Sequence, residues 1–254
     1  MNVVFVGSGN VATHMAKAFK ATGHVVTQVW SANPDHAAVL AAAVDATPVN
    51  VLSDLDDQSD LIVLAVKDDA IAEVAAQLSS SNALVVHTSG ATDLSVLAGL
   101  KYSGVLYPLQ TFSKAKELDF RKVPLCIEAA EPKSLSILKI IAESLSDSVF
   151  TVDSHQRRLL HVAAAFACNF VNQMYALSYT LLDRNGLDFE LLRPLIQETA
   201  EKVQHLLPAD AQTGPAVRHD EKTLRAHLNL LQDQPELQHI YQTLSDSIKK
   251  THQY

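Results

Sequence analysis

A glycine-containing turn near the N-terminus constrains the fold of this chain more than any other feature. Residues Asn2–Val6 form a short apolar run rich in β-branched side chains, which predicts a buried strand ending at Gly7. The pattern Gly7-x-Gly9-x-x-Ala12 follows at once and opens a predicted helix. Gly7 permits a tight turn, Gly9 lets a phosphate group approach the backbone, and Ala12 lets the helix pack close to the strand. We therefore predict that this turn binds the pyrophosphate of a dinucleotide at the helix N-terminus, the alternative being a glycine turn that binds nothing.

Predicted strands and helices alternate over the first 152 residues. Apolar runs predict further strands at 24–30, 60–66, 83–87, 125–127 and 149–152, with helices over 11–20, 35–43, 69–78 and 132–145. This alternation is typical of an α/β domain with a mostly parallel sheet. Beyond residue 152 the sequence predicts only helices, over 154–183, 188–207, 221–232 and 235–250. We therefore predict a dinucleotide-binding domain over residues 1–152 and an all-helical substrate or dimerisation domain over residues 153–254.

Composition and charge exclude several other classes of protein. Of the 254 residues, 48% are hydrophobic and 19% are charged, which is typical of folded domains and not of disordered chains. Twenty basic and 28 acidic residues give a net charge of −8, which argues against a nucleic-acid or anionic membrane surface. The sequence has neither an apolar run of about 18 residues nor the basic start of a signal peptide, so we expect no membrane span. Cys126 and Cys168 stand apart without a metal-site spacing, which favours a reducing, cytoplasmic compartment and no metal centre.

The end of the second predicted strand, Trp30–Asn33, is where the adenine-side ribose of a dinucleotide is expected. NAD-binding domains of this kind usually have Asp or Glu there, and NADP-binding domains have Arg. This chain has neither, and it contains no Lys or Arg between Lys20 and Lys67. Ser31 and Asn33 offer uncharged hydrogen-bonding groups to a 2′-phosphate. The missing carboxylate favours NADP as the cofactor, while the missing cation keeps NAD as an alternative.

Two other short segments combine polar and rigid residues. His87-Thr88-Ser89-Gly90 follows a predicted strand, at the edge where open α/β sheets bind ligands. His87 and Ser89 are candidates to contact a substrate carbonyl or carboxylate, the alternative being a capping turn with a buried, hydrogen-bonded histidine. Tyr107–Thr111 is predicted to be a loop that forms a cleft wall or a plain connection.

The predicted helix 154–183 is apolar around most of its circumference but contains four polar groups in one stripe. At about 100° per residue, Asn172 lies about 20° and Asn169 about 80° from His161. Arg157 lies about 40° in the other direction, one turn earlier. Because buried polar groups need hydrogen-bond partners, the stripe indicates either a ligand site or a structural network.

The segment Thr213–Asp220 connects two predicted helices and contains both signs of charge. Arg218 is a candidate contact for an anion. Asp220 precedes a helix and is expected to be its N-cap, or else a functional carboxylate.

Taken in order, these segments resemble a bacterial family of Rossmann-like proteins with a helical C-terminal domain of unknown function. The family is related to pyrroline-carboxylate reductase, deazaflavin-dependent NADP reductases and hydroxyacid dehydrogenases, and its members are described as NADP oxidoreductases. The resemblance extends over the full chain and rests on Gly7–Ala12, Val66–Asp69, His87–Gly90, Tyr107–Phe112, His161–Asn172 and Thr213–Asp220. At the end of the second strand the family has Ser-Arg, where this chain has Ser31-Ala32.

The resemblance implies a Rossmann-type domain followed by an all-α domain that forms a homodimer. It implies hydride transfer between NADP, or NAD, and a small carbonyl, hydroxy-acid or imine substrate; the alternatives are a non-catalytic dinucleotide-binding sensor or scaffold and a structural dimer with an empty turn. His161 is the preferred proton donor, because histidine titrates near neutral pH, and His87 is the second choice. The candidate cofactor-binding residues are Gly7, Ser8, Gly9, Asn10, Val11, Ser31, Asn33, Val66 and Lys67. The candidate catalytic residues are His161, Asn169, His87 and Ser89, and the candidate substrate-binding residues are Gly90, Tyr107, Gln110, Asn172 and Arg218.

Overall fold

Eight strands form one sheet in the order β3-β2-β1-β4-β5-β6-β7-β8. The computed structural model describes residues 1–252, and its strands are β1 Asn2–Val6, β2 Val25–Trp30, β3 Thr47–Val49, β4 Leu61–Leu64, β5 Leu84–His87, β6 Ser103–Pro108, β7 Leu125–Ala129 and β8 Val149–Thr151. Neighbouring strands are parallel except β6 and β7, which are antiparallel. The strand order reverses at β1, so the carboxyl ends of β1 and β4 form the switch point where doubly wound sheets bind ligands.

Helices cover both faces of the sheet, and β1 shows why. Val3 and Phe5 pack into a core with α1, α2 and α4, whereas Val4 and Val6 pack into a second core with α3. All four side chains are completely buried, so the strand is a continuous apolar run without polar alternation. The bounds of these helices are α1 Asn10–Ala21, α2 Pro34–Val44, α3 Ile71–Gln77 and α4 Pro132–Leu145.

The predicted α/β architecture is confirmed, but the sequence pattern does not predict two of the eight strands, β3 and β6. β3 contains Pro48 and lies at the edge of the sheet, where the missing N–H is tolerated. β6 begins with Ser103 and Gly104 and is formed by pairing with both β5 and β7. The predicted loop over Tyr107–Thr111 is therefore wrong at its start, because Tyr107 and Pro108 are the last residues of β6.

The predicted helix 154–183 is interrupted by a π-helical segment. α5 covers Ser154–Ala164, the π-helical segment covers Ala165–Phe170, and α6 covers Val171–Asp183. A π-helical turn holds more residues than an α-helical turn, so a count of about 100° per residue fails beyond Ala164. The polar stripe predicted on that count does not continue as one line to Asn172.

The chain divides into two compact units after Asn169. The helix α5 belongs to the first unit, together with the sheet. The predicted domain boundary at residue 152 marks a different property, the change from strands to helices, and it stays a prediction.

The second unit contains helices only, among the residues that the structure describes. After α6 these are α7 Arg193–Lys202, α8 Pro208–Ala211, α9 Glu221–Leu230 and α10 Pro235–Thr251, with a 3₁₀ turn over Phe189–Leu192. The prediction that Asp220 is an N-cap is confirmed, since its Oδ1 accepts a hydrogen bond from the Thr223 N–H at 3.1 Å. Within residues 1–252 no helix combines the length and the apolar character needed to cross a bilayer.

Candidate functional site

The glycine turn after β1 has the two properties that a phosphate-binding turn needs. Gly7 has φ +120°, and a Cβ atom there would lie 2.2 Å from the Ala65 carbonyl oxygen, so only glycine fits. Gly9 is the N-cap of α1, and a Cβ atom there would project into open space with nothing within 4 Å. The turn is thus closed toward β4 and open where a ligand would approach the backbone.

The space beside this turn fits a dinucleotide. A cavity of about 580 Å³ adjoins the turn, a size within the range of cofactor pockets. The first turn of α1 has no acidic residue and its N-cap has no side-chain hydrogen bond, so its N–H groups and positive dipole end are available to phosphate. The cavity is lined by residues 7–11, 30–32, 65–67, Ala70 and Val74. These include every predicted cofactor-binding residue except Asn33.

The end of β2 is held by short polar contacts. The hydroxyl groups of Ser8 and Ser31 lie 2.8 Å apart and form a hydrogen bond. Asn33 lies outside the cavity lining, and its Oδ1 accepts hydrogen bonds from the backbone N–H groups of Asp35 and His36 as the N-cap of α2. Ala32 is exposed beside them and contributes no polar group. A 2′-phosphate placed here would meet hydroxyl groups but no cation from β2.

The segment after β6 reaches back to the glycine turn. The Asn10 side chain donates a hydrogen bond to the Phe112 carbonyl oxygen at 2.9 Å, and the His14 ring contacts the Ser113 carbonyl oxygen at 2.9 Å. The Lys114 ammonium group donates to the Ser8 carbonyl oxygen at 2.8 Å. The Lys114 side chain therefore brings a cation to the glycine turn, whose own residues, 7–12, include no Lys or Arg.

The end of β5 is a buried polar turn. His87 is completely buried, its Nδ1 accepts a hydrogen bond from the Ser89 N–H at 3.2 Å, and its Nε2 has no hydrogen-bond partner among the described residues. Burial, followed by the nearby Arg157 charge, lowers the pKa of His87 to about 4, so the ring is neutral at pH 7. The Ser89 hydroxyl accepts hydrogen bonds from the Ala91 and Thr92 N–H groups and so caps the turn. This arrangement matches the capping-turn alternative more closely than a pair of substrate contacts.

Tyr107 and His161 meet beside Gly90. The Tyr107 hydroxyl and the His161 Nδ1 lie 3.0 Å apart, and the two rings are edge to face. A Cβ atom on Gly90 would lie 2.6 Å from the His161 Nδ1 and 2.8 Å from the Tyr107 ring, so glycine is needed for this approach. The Tyr107 side chain is buried and burial raises its pKa to about 12, whereas His161 is exposed. The pair thus presents an accessible imidazole at the carboxyl ends of β5 and β6.

A buried ion pair holds α5 in place. Arg157 is completely buried, forms an ion pair with Glu128 at the end of β7, and donates a hydrogen bond to the Thr92 carbonyl oxygen. The Ser154 hydroxyl donates to the Glu128 carboxylate at 2.8 Å. Because Arg157 precedes His161 by one helical turn, this network fixes the face of α5 that brings His161 to Gly90. Arg157 therefore belongs to a structural network, which is the alternative to a ligand site for this residue.

The remaining predicted site residues are exposed. The Gln110 Oε1 accepts a hydrogen bond from the Thr111 N–H at 2.8 Å, and the side chain is exposed. Asn169 is an exposed residue of the π-helical segment, while Asn172 and Arg218 are exposed in the second compact unit. Their assignment to a substrate site stays a prediction.

Sequence reasoning missed Glu128 and Lys114. Glu128 gives a weak signal as a lone carboxylate near the end of a predicted apolar strand, and Lys114 gives none, because its role depends on a contact with Ser8 that spans 106 residues.

Known proteins resemble the chain along its whole length. A family model for NADP oxidoreductase, coenzyme F420-dependent, matches residues 2–90, and a model for a domain of unknown function, DUF2520, matches residues 123–248. The structure of a "putative NADP oxidoreductase" from Bacteroides fragilis is 42% identical, with a TM-score of 0.92 over 98% of each chain. A search of curated proteins found no match.

More distant structures share the fold. A protein from Thermotoga maritima is 22% identical with a TM-score of 0.83, covering 98% of this chain and 99% of its own. A 1-pyrroline-5-carboxylate reductase from Streptococcus pyogenes is 15% identical with a TM-score of 0.66, covering 99% and 98%. Identity and coverage with the Bacteroides fragilis protein place the chain, by its sequence and its fold, in the family of Rossmann-like NADP oxidoreductase homologues that carry the DUF2520 domain of unknown function.

Proposed function

We propose that the protein is an NAD(P)-dependent oxidoreductase that transfers a hydride to or from a small carbonyl, hydroxy-acid or imine compound. One observation carries the proposal: an open glycine cradle at the end of β1 and an accessible histidine beside the ends of β5 and β6 share one edge of the sheet. β4 alone separates β1 from β5, so at about 4.8 Å per strand these ends are about 10 Å apart. The bound dinucleotide would supply hydride chemistry, and the protein would orient the substrate and move a proton.

Tyr107 and His161 are the groups that we assign to proton transfer. With its pKa raised to about 12, the Tyr107 phenol keeps its own hydrogen at neutral pH, and its oxygen can accept a hydrogen bond from the Nδ1–H of a protonated His161. The Nε2–H of this imidazolium can pass its proton to a substrate oxygen or nitrogen, which leaves a neutral imidazole whose Nδ1 can accept the phenol hydrogen. Gly90 leaves room for the pair, and Gln110 and Asn169 remain candidates to orient the substrate. His87 is less suited to donate a proton, because it is neutral and buried.

Dinucleotide binding is the first experimental test. At a concentration of a hundred times the dissociation constant, NADP or NAD should stabilise the protein by about 2.7 kcal/mol. For a chain of this length the melting temperature should rise by about 5–10 °C. Gly9→Val fills the cradle and should abolish the shift, whereas Gly99→Val, at another open glycine, should keep it. Absence of a shift in the wild type with either dinucleotide would refute the proposal.

Turnover is the second test. Oxidation of NADPH and NADH would be measured against small ketones, 2-keto acids and cyclic imines, and the reverse reaction against hydroxy acids and amines. With a substrate in hand, His161→Ala should lower kcat by about a hundredfold or more while dinucleotide binding persists. His155→Ala, an exposed histidine on the same helix, is the matched control. Binding without any turnover would favour the sensor or scaffold alternative.

For the cofactor we propose NADP, with weak discrimination against NAD. Ser31 at the end of β2 and Ser8 in the glycine turn offer hydroxyl groups, and residues 30–33 include neither an acid nor a base. Ala32→Arg should raise NADP affinity by supplying a cation to the 2′-phosphate. A wild-type preference above about a thousandfold, or about 4 kcal/mol, would contradict this placement of the ribose.

We further propose a cytoplasmic homodimer formed through the helical domain. Within the second compact unit, large apolar side chains such as Leu191, Leu207 and Leu230 are exposed in the single chain. A second copy would bury such surfaces. Sedimentation velocity tests this directly, and a monomer at micromolar concentration would contradict it.

A further inference from the structure

Lys114 has a position that the proposed hydride-transfer chemistry leaves unexplained. Its ammonium group donates a hydrogen bond to the Ser8 carbonyl oxygen at 2.8 Å, across 106 residues of sequence. It forms no ion pair with any residue in the described range 1–252. The side chain is exposed, so its remaining two N–H donors are open to a ligand.

The backbone that carries Lys114 is fixed on α1. The preceding residues Phe112 and Ser113 offer their carbonyl oxygens to Asn10 and His14, at 2.9 Å in each case. The Phe112 ring packs on the His14 ring at 5.3 Å and stacks on Phe120 at 6.3 Å. Lys114 is therefore placed at the turn by its neighbours and does not reach it as a freely mobile surface side chain.

Electrostatics alone would not keep a cation at this place. The N-terminus of α1 carries the positive end of the helix dipole, which disfavours a neighbouring ammonium group. The first turn of α1 has no acidic residue, and the N-cap Gly9 has no side chain to offer. An anion bound at Gly9 would remove the conflict, since it would contact the helix N–H groups and the Lys114 ammonium at once.

We propose that Lys114 binds the pyrophosphate of the dinucleotide, as a cation supplied from the β6–β7 segment. The inference rests on the proposed function, because it needs a dinucleotide on the glycine turn. The pyrophosphate is favoured over the 2′-phosphate because the Lys114 ammonium contacts the backbone of the glycine turn at Ser8, directly before Gly9, the N-cap of α1. The segment that carries Lys114 contacts Asn10 and His14, which belong to the first part of α1. The pyrophosphate is common to NADP and NAD, so both cofactors should depend on Lys114.

Binding titrations of the full-length protein test the assignment. Dissociation constants for NADP and NAD would be measured by isothermal titration calorimetry for the wild type, Lys114→Met, Lys114→Arg and Lys116→Met. Lys114→Met removes the charge at similar length, and Lys114→Arg retains it. Lys116→Met is the matched control, because Lys116 is an exposed lysine of the same segment without an ion pair among the described residues.

Lys114→Met should weaken NADP and NAD alike by about tenfold, or about 1.4 kcal/mol. The loss should shrink as salt is added, because an exposed charge contact is screened. Lys114→Arg and Lys116→Met should stay within about threefold of the wild type, and all three variants should melt like it.

Three outcomes would overturn the inference. Unchanged binding by Lys114→Met in a protein that binds dinucleotide would remove Lys114 from the site and leave the proposed function intact. A loss confined to NADP would place the ammonium on the 2′-phosphate instead. Failure of the wild type itself to bind NADP and NAD would refute the proposed function, and the inference with it.

Discussion

The two compact units of the chain use apolar residues in different ways. In the first unit, strands such as β1 and β4 bury every residue from Val3 to Val6 and from Leu61 to Leu64. In the second unit, the buried apolar residues among those described are Ala216, Leu224 and Leu231, while Leu207 and Leu230 are 72% and 79% exposed. The sheet of the first unit thus has a complete core, while α5 of that unit still exposes Leu159 and Val162; the second unit keeps apolar surface that a partner can bury. A periodic apolar pattern in a helix therefore does not by itself tell which surface will cover it.

Gly7→Ala tests the tightest packing in the first unit and should have the largest effect. The new Cβ atom would overlap the Ala65 carbonyl oxygen, and φ +120° is unfavourable for alanine, so we expect a loss of more than about 4 kcal/mol. Gly9→Ala, two residues away in open space, should cost no more than about 1 kcal/mol. Urea denaturation of both variants measures the difference. Equal stabilities would mean that the turn is not closed against β4.

Two leucine truncations compare the units directly. Leu106→Ala in β6 removes a completely buried side chain and should cost about 2–5 kcal/mol. Leu230→Ala in the second unit removes an exposed side chain and should change stability by less than about 0.5 kcal/mol in the monomer. Both are measured by denaturant unfolding at several protein concentrations. A cost above about 2 kcal/mol for Leu230→Ala, growing with concentration, would show that a second copy covers this surface. A cost below about 1 kcal/mol for Leu106→Ala would break the comparison.

The units also differ in how a histidine titrates. Burial lowers the pKa of His87 in the first unit to about 4, whereas hydrogen bonds to the Ile248 and Ala209 carbonyl oxygens raise the pKa of His252 in the second. Below about pH 6.5, His87 of the unfolded chain takes up a proton, whereas His87 of the folded protein stays neutral. The contribution of His87 to the free energy of unfolding is therefore at its full value above that pH. The contribution falls as the pH drops toward 4, by about 3 kcal/mol in all.

His87→Asn isolates this contribution. The Asn side-chain oxygen can still accept the hydrogen bond from the Ser89 N–H, but it does not titrate. The free energy of unfolding of the variant should therefore vary less with pH than that of the wild type between pH 6.5 and 4. Parallel profiles for the two proteins would contradict the assignment of a neutral, buried His87.

Gly186→Ala in the second unit should have a much smaller effect than Gly7→Ala in the first. Gly186 follows α6 with φ +68°, but a Cβ atom there would have no neighbour within 4 Å. Only the left-handed backbone penalises alanine, so we expect a cost of about 1–2 kcal/mol. Thermal unfolding measures it against Gly7→Ala. A cost as large as that of Gly7→Ala would indicate that another surface closes on this turn.

The local pattern of the sequence was enough to predict most of the fold and half of the candidate site. Buried strands in a parallel sheet are short apolar runs, and the glycine turn depends on three nearby residues, Gly7, Gly9 and Ala12. Both features can therefore be predicted without tertiary information. Eight of the nine predicted cofactor-binding residues line one cavity for this reason, because they lie at the ends of adjacent strands. Asn33 does not line the cavity, because its side chain accepts hydrogen bonds from backbone N–H groups at the start of α2.

The tertiary structure alone decided which polar groups meet. Three side-chain contacts join residues far apart in the sequence: Tyr107 with His161 across 54 residues, Arg157 with Glu128 across 29, and Lys114 with Ser8 across 106. No periodic pattern in the sequence predicts such contacts, since each depends on how the strands align and on which helix face packs against them. The π-helical segment Ala165–Phe170 adds a second reason, because it rotates every later residue away from the face that a regular α-helix would give it. His161, which precedes that segment, lies beside Tyr107 and Gly90 at the ends of β6 and β5. For Asn172, which follows the segment, the helical count that linked the two residues no longer holds.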